Sequence, residues 1–297
     1  MNHMNNINSL EDKVANLLEG CLKTPIDQNN IEKHPIRIIE SVKSLIGLDL
    51  NNPNKNLINF LDQITITQDS NDSISDKIDS ETVSIYQLKD AIEASDYNMC
   101  KDLVANLVKL SDGNQILEFL LELSLLQTGK STLLVWATYK SIKFINNQSN
   151  ENMKFAILLC CKALIIDNYF QGCSKQKKTI DDIYNNYDLQ LHELQMIGVL
   201  FEISKANLIR SDKINLNITK FLTFFFSTIG KGSKISKDSF LENNIDKKDI
   251  LNALSDNIIS HDLILSLNGI RSCMRYSSLK NNVYLQLYID KVKEKNR

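Results

Sequence analysis

The chain offers few residues whose types and spacing could do chemistry: four histidines, six cysteines and a single tryptophan among 297 residues. Thr128-Gly129-Lys130-Ser131-Thr132 ends like a phosphate-binding loop, in which glycines free backbone amides to surround an anion. That loop needs a glycine five residues before Gly129, where Ser124 stands, and a strand before it, where a leucine-rich helical pattern runs. His192-Glu193 opens like a zinc-protease helix, but the second ligand position, one turn on, is Met196. Cys160 and Cys161 are adjacent and cannot both close on one tetrahedral ion from a rigid helix, so they read as buried thiols. Cys173, followed by Lys175, Lys177 and Lys178, is the thiol whose neighbours favour the thiolate. No metal site and no acid/base pair of carboxylates is expected.

The elements that must position these residues are helices. From residue 54 to Arg297 there is no proline, and apolar residues recur three and four apart almost throughout. The chain is also poor in Gly (nine) and Arg (five) and rich in Asn, Ile and Lys, so part of the proline deficit is compositional. Composition does not place apolar residues on one face, and the periodicity therefore carries the assignment. Short helices are expected at Leu10 to Leu22, Ile36 to Leu48 and Lys55 to Ile66, punctuated by Pro25, Pro35 and Pro53. Thr67 to Thr82 is Ser/Asp-rich with only Ile74 and Ile78 to bury, and reads as an acidic linker. A helix opens at Ser84, where Gln87 three positions on completes a reciprocal cap. Further helices are expected over Met99 to Leu110, Ile116 to Leu126, Thr132 to Ile145, Met153 to Phe170, Leu189 to Ile209 and Ile218 to Ile229. The last three are Ile250 to Ile259, Leu263 to Tyr276 and Leu279 to Val292, with a polar loop at Gly172 to Asp188 and a basic one at Gly230 to Lys237. The fold class is all-α, a multi-helix bundle or irregular helical array without substantial sheet. The domains expected are an acidic set of short helices (1–66), the linker (67–82) and a main helical domain (83–297).

Net charge is −2; residues 1–80 hold 12 acidic against 7 basic side chains, leaving +3 for the rest. Neither part is basic enough to suggest nucleic acid as a partner. The N-terminal sequence MNHMNNINSL lacks the pattern of a secretory signal, and Lys162 interrupts the most apolar run, so no membrane association is expected. Irregularly spaced cysteines without an export signal read as reduced thiols in a cytoplasmic protein.

Gly129 to Phe144 can be aligned on Ser260 to Arg275: a small residue, then Lys130 or His261, an apolar triplet, a basic residue (Lys140, Arg271) and a serine. Together with the run Leu88 to Ile145, this pattern resembles the helical proteins grouped with questin oxidase, about a quarter of the chain being covered. Members of that group open certain buried helices with a small residue and a histidine. Ser260-His261 fits that opening, while Gly129-Lys130 has lysine in the second place. The resemblance implies an oxygenase acting on an aromatic substrate with NADPH, and His261 as a base or substrate contact. Two readings follow. The first is a non-catalytic α-helical scaffold or interaction protein with an unknown protein partner and no cofactor. The alternative is a helical oxidoreductase acting on an apolar or aromatic substrate in an inter-helix pocket, with His261 catalytic and His192, Trp136 and Cys160 lining the pocket. Whether the protein is an enzyme stays open at this point.

Overall fold

The computed structural model describes residues 2–67, 83–145, 149–169, 178–186, 189–229, 246–277 and 285–295. Among them are fourteen α-helices and no strand, as the periodicity predicts. They are α1 (Asn2–Cys21), α2 (Pro35–Ile46), α3 (Lys55–Gln63), α4 (Ile85–Glu93), α5 (Tyr97–Leu110), α6 (Gly113–Ser124) and α7 (Lys130–Phe144). The rest are α8 (Asn150–Ile166), α9 (Ile180–Asn186), α10 (Leu191–Lys205), α11 (Ser211–Ile229), α12 (Lys247–Asp256), α13 (His261–Tyr276) and α14 (Leu285–Lys295). A 3-10 turn, Ile31–Lys33, precedes α2, and one isolated bridge pairs Gln127 with Tyr169. The expected linker beyond Thr67, the loop 230–237 and Cys173 lie outside the described residues.

The helix starts follow from local side-chain chemistry. Ser84 accepts from the Tyr86 amide at 3.2 Å while the Ser84 amide donates to Gln87 Oε1 at 2.7 Å, the reciprocal cap expected there. Asp96, Asp112, Ser149 and Ser260 cap α5, α6, α8 and α13 in the same manner, each accepting from an amide of the first turn. Helix α9 is a difference from the sequence reading, which placed it in a polar loop. The Thr179 hydroxyl accepts from the Asp182 amide and Asp182 accepts from the Thr179 amide. Ile180, Ile183 and Tyr184 bury one side of the short helix.

By their contacts the described residues form two units. Unit 1 comprises Met1–Glu40, Thr65–Phe170 and Leu208–Ile214; unit 2 comprises Ser41–Ile64, Gln171–Asn207 and Asn215–Arg297. In unit 1, α7 packs against α1, α6, α8 and the 3-10 turn, and α8 is covered by α4, α5, α6 and α7. α8 is apolar on most of its circumference, and α7 is buried on nearly all sides with small hydroxyl residues (Ser131, Thr132, Thr138, Ser141) among its buried positions. Leu134, Val135, Ile142, Ile157 and Leu164 on them are essentially inaccessible, each contributing roughly 1.5–3 kcal/mol by burial.

Unit 2 is organised on α10 and α13. Gln195 reaches Ser266, Gly198 lies against Gly269 and Glu202 reaches Ser272, partners that advance together along both chains and so make the two helices parallel neighbours. The backbones touch at the glycines: a Cβ on Gly198 would stand 2.7 Å from the Gly269 carbonyl oxygen, and one on Gly269 would stand 2.9 Å from the Gln195 Cα. Helix α9 packs on α10, α14 on α13, and α12 on α3, α13 and α14. Phe221 and Phe225 stack at 5.4 Å, so these two of the α11 phenylalanines are core.

Candidate functional site

The four residues singled out from the sequence divide between the units. Trp136 and Cys160 are buried on α7 and α8 of unit 1. Trp136 stacks on Tyr139 at 5.4 Å, with the Lys140 ammonium 5.8 Å from its ring. Burial pushes the Cys160 thiol up to about 12, against a smaller opposing effect of its bond with Thr138. His192 and His261 are in unit 2, in the first turns of α10 and α13. The parallel register of those helices sets both histidines at the same end of the pair, and both are exposed. The His261 ring meets Phe60 edge-on at 5.8 Å. Glu193, beside His192, accepts from the Gln190 amide at 2.6 Å and so closes the start of α10.

The sequence that ends like a phosphate loop also has a structural use. Gly129 adopts φ 106°, a left-handed conformation that suits glycine, and turns the chain into α7. The anion at the start of that helix is the chain's own Asp167, from the end of α8. Its carboxylate accepts from the Ser131 amide at 2.9 Å, the Ser131 hydroxyl at 2.8 Å and the Thr128 hydroxyl. Gln127 Nε2 donates to the Leu164 carbonyl at 2.7 Å, fixing the same junction.

Two further polar clusters were not anticipated. In unit 2 the Arg271 guanidinium meets Glu202 at 2.5 Å and donates to Asn268 Oδ1 at 2.8 Å; Ser272 also donates to Glu202, and Asn268 donates to Ser41. All are buried or nearly so, and an ion pair at this depth is costly unless its buried polar atoms are met; none of this cluster is among the buried side-chain atoms left without a partner in the described residues. The aligned position in α7, Lys140, likewise finds a glutamate, Glu40, at 2.9 Å. A lone charge in an apolar helix (Glu202 in GVLFEIS, Arg271 in NGIRSC) is the signal that could have found this pairing.

The second cluster reaches the surface of unit 1. Arg210 donates to Glu122 Oε2 from Nε at 2.8 Å and from Nη2 at 2.5 Å, and its backbone amide donates to Glu118 Oε2 at 3.0 Å. Glu118 Oε1 accepts from the Tyr139 hydroxyl at 3.1 Å, and Lys143 Nζ donates to that hydroxyl at 2.5 Å. Burial and the Glu118 charge push the Tyr139 phenol well above its usual range. The Arg210 guanidinium lies 5.1 Å from the Phe119 ring, which Tyr86 meets edge-on at 6.0 Å. Tyr86 itself is 60% exposed and Ile209, next to Arg210, is 72% exposed. This part-buried cluster thus lies beside an aromatic and an aliphatic side chain that are both exposed to solvent.

Among the described residues no group of three or more His, Cys, Asp or Glu is placed to hold a metal ion, and no helix is long and apolar enough to cross a membrane. Comparison with family models, with curated proteins and with solved structures finds no match.

Proposed function

We propose that this protein is a non-catalytic α-helical scaffold that acts by binding another protein, with the Tyr86–Ile209–Arg210 surface of unit 1 as its contact. The observation that carries this is the exposure of Tyr86 and Ile209 beside a base in which Arg210 bonds both Glu118 and Glu122 and lies against the Phe119 ring that Tyr86 meets. Tyrosine and arginine are the side chains that most often dominate binding energy at protein interfaces, and a preorganised frame reduces the ordering cost of association. The occupant is a second protein presenting an apolar side chain to the tyrosine and isoleucine. The oxidoreductase alternative needs His261 in an apolar enclosure, and its exposure at the start of α13 favours the surface reading.

The test compares two pairs of variants in cells whose own copy of the gene has been removed. Tyr86→Ala combined with Ile209→Ser is expected to lose both biological function and a partner recovered with the wild-type chain. Its melting temperature should stay within about 4 °C of wild type, as expected for surface substitutions costing under 1 kcal/mol. His192→Ala and His261→Ala should retain function and partner. Loss of function in His261→Ala with unchanged melting, while the surface variant remains active, would overturn the proposal in favour of catalysis.

A further inference from the structure

In unit 1 the chain between α1 and α2 forms a strap that rests on α7 through the 3-10 turn Ile31–Lys33. Its internal bonds are all local: the Asn30 amide donates to the Asp27 carbonyl, the Asn29 amide to Asp27 Oδ1 and the Lys33 amide to the Asn30 carbonyl, each at 2.9 Å. Between Pro25 and Lys33 only Ile31 is buried, so little apolar surface holds the strap down. What closes it is the histidine at its base. His34, 3% exposed, spans the two ends of the strap: Nε2 faces the Thr24 carbonyl and Nδ1 accepts from the Ile36 amide, both at 3.3 Å. The charges on the surrounding elements are already matched. On α2, Arg37 donates to the Glu32 carbonyl and Glu40 pairs with Lys140 of α7 at 2.9 Å. On the strap, the Glu32 carboxylate lies 3.9 Å from Lys130 of α7, in a half-exposed pair of little strength, and Lys33 is exposed. At the end of α1, Lys23 turns to Glu151 of α8 at 3.2 Å. Each of these carboxylates already has a lysine. A proton on His34 Nδ1 would therefore set the ring N–H against the Ile36 N–H and add positive charge beside the buried Arg37 guanidinium.

We propose that His34 is a proton-operated clasp: when its ring is protonated, the strap Pro25–Lys33 lifts from α7 while α7 and α8 stay packed. The neutral ring donates at Nε2 and accepts at Nδ1, whereas the charged ring only donates, so protonation breaks the bond to the Ile36 amide. Lifting the strap brings the charge to water. The cost is the burial of Ile31 and the weak Glu32–Lys130 pair, because α7 and α8 keep their own packing with each other and with α6. In the lifted state the imidazole is solvated and titrates near 6.5. In the closed state burial lowers it to about 4, the Arg37 charge adding to the effect and the Thr24 bond opposing it. The lifted state thus gains a proton between pH 6.5 and 4 that the closed state refuses, and acid moves the equilibrium toward it.

The experiment is hydrogen exchange of the full-length chain at pH 7 and pH 5, with and without low urea, read peptide by peptide by mass spectrometry. Each rate is divided by the intrinsic chemical rate at its pH. The protected amides of the segment Thr24 to Arg37, which include Lys33, His34, Ile36 and Arg37, are expected to open about twentyfold more often at pH 5 than at pH 7. That opening should be insensitive to low urea, because it exposes little surface, while exchange in α7 and α8 should be slower and accelerate with urea. His34→Gln offers a donor and an acceptor that do not titrate, and should reduce the pH effect on the segment to within about twofold. Three results would each overturn the clasp: a corrected rate that does not change with pH, one urea-sensitive opening shared by the segment and α8 at both pH values, or a His34→Gln variant that keeps the twentyfold rise. The wild-type comparison alone decides the first two if the variant fails to fold.

Discussion

His34 shows how a single buried side chain sets a condition on the whole fold. Its Nδ1 accepts from the Ile36 amide at 3.3 Å, at the start of α2, and Nε2 faces the Thr24 carbonyl at 3.3 Å, so the neutral ring carries its proton on Nε2. Burial, partly opposed by the Thr24 bond and reinforced by the Arg37 charge, lowers its pKa to about 4. The unfolded chain, with a histidine near 6.5, therefore binds a proton between pH 6.5 and 4 that the folded chain refuses. The stabilisation is fully present above pH 6.5 and is lost as pH falls toward 4. Between pH 7 and pH 5 this group should cost about 2 kcal/mol. Urea unfolding at the two pH values measures it, and His34→Gln should remove most of the difference. The sequence reading passed over His34 because its role depends on the Thr24 carbonyl, ten residues away, and on its burial. Asp167 was missed for a related reason, since the amide it caps belongs to Ser131, on another helix. Conversely, the reciprocal cap at Ser84 and Gln87 was legible because both partners lie within one turn.

At the scale of the element, the α10–α13 pair depends on two glycines. Glycine in a helix interior costs roughly 1 kcal/mol relative to alanine, so its presence in the middle of two helices marks a site where backbones approach. A methyl group at Gly269 would meet the Gln195 main chain and the Leu194 carbonyl oxygen, which cannot rotate away as a side chain can. Gly269→Ala should thus destabilise the protein by about 2 kcal/mol or more despite alanine's better helix propensity, and it should separate Arg271 from Glu202. Denaturant midpoints check the first effect, and loss of amide protection along α10 and α13 checks the second. A variant as stable as wild type would mean that the helices slide apart at little cost. The existence of nearly every helix was readable from apolar spacing, because burial needs only one face. Which face meets which partner was not, since Gly198 and Gly269 lie 71 residues apart and periodicity says nothing about pairing. Helix α9 escaped for a different reason: three buried residues, Ile180, Ile183 and Tyr184, are too short a stripe to stand out from a polar surround.

For the molecule as a whole, the contact-defined units are assembled from separated stretches of chain, with residues 1–40 and 41–64 on different sides of the division. A scan of composition reads only continuous stretches, which is why a linker stood out and an interleaved arrangement did not. Each unit carries its own chemical reporter. Cys21 and Cys160 in unit 1 and Cys273 in unit 2 are fully buried, and desolvation raises all three thiols, the first two to about 12. A thiolate is the reactive form, so both the fraction ionised and the access of a reagent are suppressed until the surrounding helices open. Pulsed alkylation in native buffer at pH 8 should leave Cys21, Cys160 and Cys273 unmodified over a period in which the chain in urea is fully labelled. The labelling rate of each should then rise with denaturant as its own unit loses structure. Rapid modification of Cys273 in native buffer would show that α13 is not the enclosed element on which unit 2 is built, and the packing assigned to Gly269 and Arg271 would fall with it.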